Sequence, residues 1–298
     1  IADKSKVRTA MISLYPIKDY LLEDVITLPD CDELGLVYHE NGKYLTFIDD
    51  IKYFEQAVLN PCIKAILWDS RLNELNTKSD KTIIKTKNSR IAFFLLHNSM
   101  QKPIKKVDTY IDASASIDPS AHIAIHNVTI GRNVVVEPQV TIYEGTKIGE
   151  NTIISSGARI GVEGLEAKKY ADGKYLIVRH FGQVLIEDNV VIGPNTVVDR
   201  GLFLNQKTII GSSTLIANLC HVAHAVKIGK RNFIAAGVKI CGSTTIADDN
   251  WIGPGVIISN QLKIGSSTYI TLGSSVFQNI ADGWKVVGSK IFKERKLF

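Results

Sequence analysis

The chain has 298 residues, 45% hydrophobic and 22% charged, with a formal net charge of +5. This is the composition of a folded protein large enough for two units, not of a disordered or membrane-embedded chain. The positive balance comes without a dense basic-aromatic patch, so it suits anionic substrates better than nucleic acid.

No stretch is apolar for long enough to cross a bilayer, and the opening IADKSKVRTAM lacks the apolar centre of a signal peptide. Four scattered cysteines, Cys31, Cys62, Cys220 and Cys241, fit a reducing compartment and not a disulfide framework. The expectation is a cytoplasmic protein with no transmembrane segment.

Residues 1–108 mix periods and read as a small α/β domain. KYLTFI is a strand, and IKYFEQAVL is a short amphipathic helix that Pro61 helps to stop. IKAILW and TIIKT are further strands, and SRIAFFLLHNSM is a second helix. QKPIKKV leads out of the domain, because Pro103 breaks the helical pattern.

From about residue 109 to 280 an aliphatic residue recurs at every sixth position. It runs from Ile130 through Val136, Ile142, Ile148 and Ile154 to Ile160, and resumes at Ile186. From there it continues through Ile192, Val198, Leu204, Ile210, Ile216 and Val222 to Val276. Two residues earlier sits a compact side chain, as at Thr208, Thr214, Cys220, Val226, Asn232, Val238 and Thr244. Such a period marks a hexapeptide-repeat parallel β-helix, whose coils cannot close a core singly and must stack. The earlier aliphatics Ile111, Ile117 and Ile123 are one residue out of phase, which predicts an irregularity near His126 and Asn127. Residues 162–184 interrupt the series and read as an excursion loop, a favoured place for binding chemistry on a stiff scaffold. Residues 281–298 form a short tail.

Within CHVAHAVKIG the register separates neighbours. Cys220 and Val222 fall in inward slots, which leaves His221 and His224 outside the core and too few ligands for a closed Cys/His metal site. No metal is expected. Either histidine could be an ordinary surface residue, or His224 could be a general base, since an unperturbed imidazole titrates near neutrality. Counting in eighteens places Gln206 one coil below His224 and Gly242 one coil above. The missing side chain of Gly242 leaves room for a cleft.

With these segments in place, the chain resembles the UDP-3-O-acylglucosamine N-acyltransferases and related nucleotide-amino-sugar N-acyltransferases of lipopolysaccharide and O-antigen type surface-polysaccharide synthesis. VVIGPNTVVDRG and NLCHVAHAVKIG, in that order, carry the resemblance, together with GKYLTFIDDIKYF near the start. It implies a left-handed, three-sided β-helix assembled as a homotrimer with active sites in the clefts between subunits. It also implies that His224 is the catalytic base and that Phe47 and Tyr53 hold the nucleotide base. His221 stands where the family usually has glutamine, and would contact donor or acceptor, as would Gly242, Asn260 and Gln261.

Several positions depart from the family. Ala225 follows the histidine where asparagine is usual, and Ala217 replaces an aspartate. Asp199, counted as one coil below Ala217, is the candidate to supply that carboxylate. Asn260 and Gln261 replace a Gly-His pair, and the tail lacks the family's extended basic helix. The expectation is therefore an N-acyltransferase that uses acyl-CoA on a nucleotide-linked amino sugar, with no permanently bound cofactor. The alternatives are the lipid A N-acyltransferase with acyl carrier protein as donor, a sugar O-acyltransferase, and a non-catalytic β-helix scaffold.

Overall fold

The computed structural model describes residues 11–28, 30–72, 79–100 and 105–293. Pro103 and most of QKPIKKV, the first ten residues of the chain, and the last five lie outside the described residues. The chain divides into two compact units. One comprises residues 1–103 with 165–179, and the other 104–164 with 180–298.

The first unit is built on a four-stranded parallel sheet in the order Glu33–Leu34, Tyr44–Ile48, Ile63–Asp69, Thr82–Thr86. Parallel neighbours need crossovers, and the Phe54–Leu59 helix supplies one of them. Every residue of Ile63–Asp69 except Lys64 is buried, as befits a strand covered on both faces. The Ser89–Ser99 helix starts where the Asn88 side chain accepts a hydrogen bond from the Ile91 N–H at 3.1 Å. Its apolar face buries Ile91, Phe93 and Leu96. The sequence-predicted strands and helices of this region are all present.

Residues 165–179 are not a loose loop. Glu166–Lys169 and Tyr175–Val178 pair as an antiparallel hairpin. Asn98 binds it twice, donating to the Ile177 carbonyl at 2.8 Å and accepting from the Arg179 N–H at 3.0 Å.

The second unit is a left-handed parallel β-helix. Among the described residues its three faces are sheets of 8, 10 and 8 strands. Successive coils place like on like: Ile210 pairs with Ile228, and Ile228 with Ile246. The sixth-position aliphatics fill the axis, with Ile186, Ile192, Val198, Val222 and Ile234 fully buried. Each buried Ile or Val contributes about 1.5–3 kcal/mol. The compact residues two positions earlier are inward as well, and their polar atoms tie coil to coil. Thr214 Oγ1 donates to the Gly229 carbonyl at 2.8 Å, and Asn232 Nδ2 to the Ala247 carbonyl at 3.0 Å.

The turns explain the period. The residue three beyond the inward aliphatic often has positive φ, as at Asn133 (54°), Asn195 (54°), Leu219 (58°) and Ala225 (56°). One left-handed residue per corner turns the chain onto the next face. The expected irregularity is also present: Asn127 has φ 59°, and His126 bridges back to Asp108.

One stretch of the hexad count is corrected. Val198 pairs with Val222, and Gln183–Ile186 with Lys207–Ile210, so this coil carries an extra six-residue segment. Leu204 lies in that segment at 45% exposure and is not a core position, while Leu202 and Phe203 are buried instead. Leu204 keeps the hexad spacing only because the inserted segment has the length of one hexad.

Candidate active site

His224 sits just past the short strand His221–Val222, on the corner between two faces of the β-helix. The added segment changes what lies beneath it. By the register of Val197 with His221, the residue one coil below His224 is Arg200, not Gln206. The Arg200 guanidinium donates to the carbonyls of Gly161 at 2.8 Å and Glu144 at 3.0 Å, fixing the backbone where the excursion begins.

The position above is as the spacing predicts. Lys239–Ile240 pairs with His221–Val222, which sets Gly242 over His224. A β-carbon at Gly242 would lie 2.4 Å from Nε2 and 2.5 Å from Cε1 of His224. The imidazole therefore occupies the volume that any side chain at position 242 would need. Continuing up the same column, Ile257–Ile258 pairs with Lys239–Ile240, so Asn260 follows Gly242. Gln261, with φ 60°, donates its N–H to the Gly242 carbonyl at 3.0 Å. His224, Gly242, Asn260 and Gln261 thus share one corner of the β-helix.

The same correction moves Asp199. It lies beneath Ala223, not Ala217, and its Oδ2 is 3.0 Å from Nε2 of His221. Asp199 is 6% exposed, whereas the His221 side chain is 47% exposed. The carboxylate partner holds the His221 imidazole above its ordinary pKa, against the opposing effects of burial and of Lys239. Asp199 is thus the carboxylate partner of His221.

His180, which the repeat pattern does not mark, joins this site. Its ring centroid lies 5.5 Å from that of His224 with the planes at 58°. It is 3% exposed, its Nδ1 accepts a hydrogen bond from the Gly164 N–H at 2.9 Å, and its backbone N–H donates to Glu163 Oε1 at 3.0 Å. A β-carbon at Gly164 would fall 2.8 Å from both Asp199 Oδ2 and His180 Cε1. Nothing in the hexad period could reveal this, because His180 returns from an interruption whose path no spacing rule specifies. The glycine of GVEG and the lone histidine in VRHFG were the available signals.

Cys220 is a core residue, 2% exposed, with Sγ 3.2 Å from the Ala235 carbonyl, and burial pushes its thiol pKa up. Among the described residues no group of three or more His, Cys, Asp or Glu side chains is arranged to hold a metal ion.

In the first unit, Phe47 packs against Phe93 at 4.9 Å and Phe94 at 5.8 Å between centroids, with the Arg90 guanidinium 5.9 Å from its ring. Tyr53, at the end of the short 3₁₀ turn Ile51–Tyr53, is 40% exposed and has Lys52 Nζ 4.9 Å from its ring. Phe47 is thus largely engaged in packing, and Tyr53 presents the more open aromatic face.

The bacterial transferase hexapeptide family (six repeats) matches residues 127–161 and 207–242, both within the β-helix. Among individual relatives, a UDP-3-O-acylglucosamine N-acyltransferase of Coxiella burnetii (strain RSA 493 / Nine Mile phase I) is 35% identical over 115 residues, 30% of this chain and 33% of that protein. The protein of the same name from Fusobacterium nucleatum is 31% identical over 217 residues, covering 61% of this chain and 64% of its own length. The chain thus spans about a third of the first of these relatives, and under two thirds of the second. A UDP-N-acetylglucosamine acyltransferase structure from Bacteroides fragilis aligns with 62% of this chain and 73% of its own, at 26% identity and a TM-score of 0.48. Among the described residues no helix is long and apolar enough to cross a membrane.

Proposed function

We propose that this protein transfers an acyl group from a thioester to the amine of a nucleotide-linked amino sugar, with a UDP-linked 3-O-acylglucosamine as acceptor. The observation that carries the reading is the fit of His224 beneath Gly242, on the segment that resembles the N-acyltransferases. The names of the relatives support the acceptor and favour the lipid A type reaction over a generic acyl-CoA-dependent one. In that reaction acyl carrier protein is the donor. The second reading, a short acyl group from acyl-CoA on another nucleotide-linked amino sugar, is favoured by Ala225, Ala217, Asn260 and Gln261, where the chain departs from the family.

The chemistry asks little of the protein beyond placement. The sugar nitrogen attacks the thioester carbonyl carbon, and His224 accepts the proton the nitrogen must lose. Nδ1 of His224 is buried, which leaves Nε2, beside Gly242, as the basic nitrogen offered to the amine. The backbone N–H of Gly242 lies on the same corner and is our candidate donor to the carbonyl oxygen as negative charge develops there. Collapse breaks the C–S bond, and the departing thiolate takes the proton from His224. An amide and a free thiol result, with no covalent enzyme intermediate and no bound cofactor in the scheme.

Under this reading the active unit is a homotrimer with clefts between subunits, Phe47 and Tyr53 receive the nucleotide base, and His221, Asn260 and Gln261 meet donor or acceptor. Asp199 serves the site through His221.

A mass-spectrometric screen tests the proposal. The purified protein is offered UDP-3-O-acylglucosamine and nucleotide-linked 3-amino and 4-amino sugars, each with long-chain acyl carrier protein and with acetyl- and hydroxybutyryl-CoA. An amide product from the first acceptor with acyl carrier protein is expected. Product only from another pair moves the assignment to the second reading, and no product from any pair ends the enzyme proposal.

A further inference from the structure

Resting on the acyl-transfer reading, we infer that His180 is a positioning residue for His224: a neutral imidazole in one fixed tautomer that holds the catalytic ring against Gly242. Three observations carry this. First, Nδ1 of His180 accepts from the Gly164 N–H at 2.9 Å. An acceptor nitrogen bears no proton, so the ring hydrogen resides on Nε2. Protonating Nδ1 would set two N–H groups against each other in a site only 3% exposed. This ring therefore resists the charge that His224 must accept.

Second, the His180 and His224 rings lie 5.5 Å apart at 58°, a tilted packing that restricts rotation of the His224 imidazole. With Gly242 closing one side, where a β-carbon would fall 2.4 Å from Nε2, His180 supplies a second wall. Third, the hook itself is shaped for this. A β-carbon at Gly164 would meet both His180 Cε1 and Asp199 Oδ2 at 2.8 Å, so the glycine lets the His180 ring and the Asp199–His221 pair approach one backbone position. Glu163 Oε1 accepts from the backbone N–H of His180 at 3.0 Å, fixing the backbone beneath the ring.

His180 touches neither reacting atom in this account and acts only through the placement of His224. A general base displaced by about 1 Å loses on the order of a hundredfold in rate. A wall that narrows rotation without setting position matters less, so a fall in kcat of about tenfold or more is expected when it goes.

The test uses His180→Phe, which keeps the ring and loses the Gly164 hook, and His180→Asn, which keeps an acceptor for Gly164 and loses the ring. Both are read for kcat, KM for the amino sugar, and the pH midpoint of kcat/KM. The expected result is that His180→Asn lowers kcat at least tenfold with KM within about twofold, and that either variant moves the pH midpoint. Wild-type kcat and an unmoved midpoint in both variants would overturn the inference.

A second measurement needs no turnover. In histidine-labelled wild-type protein, nitrogen chemical shifts of the rings should hold His180 neutral with its proton on Nε2 well below the ordinary histidine midpoint of ~6.5. A freely titrating His180 overturns the inference even if the variants fail to fold. A fixed tautomer in a protein that acylates nothing would instead locate the failure in the acyl-transfer reading.

Discussion

A methyl group added at Gly242 would sit 2.4 Å from Nε2 of His224, so an alanine there must push the imidazole aside. The backbone at Gly242 has no positive φ to strain, and the cost should fall on the ring and not on the fold. Gly242→Ala is expected to lower kcat/KM about a hundredfold while the thermal midpoint stays close to wild type, a pairing that kinetics and calorimetry together would check. Asp199 acts on the other histidine. Its carboxylate raises the His221 pKa, so it lends stability that is full below the ordinary value of ~6.5 and is lost as pH rises through the raised folded midpoint. Denaturant unfolding of Asp199→Asn against wild type should thus give a stability gap that shrinks from mildly acidic to alkaline pH. A gap that widens with pH would contradict the pairing. The partial exposure of His221 keeps the effect small.

At the level of the coil, the corner residues decide how well the chain turns. Leu219 holds φ 58° while 61% exposed, a conformation that costs a branched side chain about 1–2 kcal/mol and asparagine less. Leu219→Asn is expected to stabilise the β-helix by about 1 kcal/mol, measurable as a rise in the denaturant midpoint. This scale is also where the sequence was most informative. A six-residue period fixed which of Thr208, Thr214, Cys220 and Asn232 face inward, because a stacked coil leaves a side chain only two directions. It could not see that residues 199–206 carry an extra segment, since an insertion of one hexad preserves the phase. That one ambiguity misplaced Asp199 under Ala217 and put Gln206 beneath His224. Above the insertion the count was sound, and Gly242 fell where eighteen residues predicted.

For the molecule as a whole, the β-helix was readable from period alone, while its hand came from the resemblance. What period could not carry was the path of the excursion. Residues 165–179 form a hairpin that belongs with the first unit, and His180 returns beside His224. Contacts of that kind depend on where a non-repeating segment lands, and no spacing encodes it. The functional reading has the same division: the scaffold comes from the repeat, and the chemistry from one corner of it. The most direct test of that claim is the single-turnover rate of acyl transfer to UDP-3-O-acylglucosamine by wild type and His224→Ala, followed by mass spectrometry. Loss of general-base help predicts a fall of about 10²–10⁴-fold in the variant at unchanged fold. An unchanged rate in the alanine variant would contradict the assignment of His224 as the base.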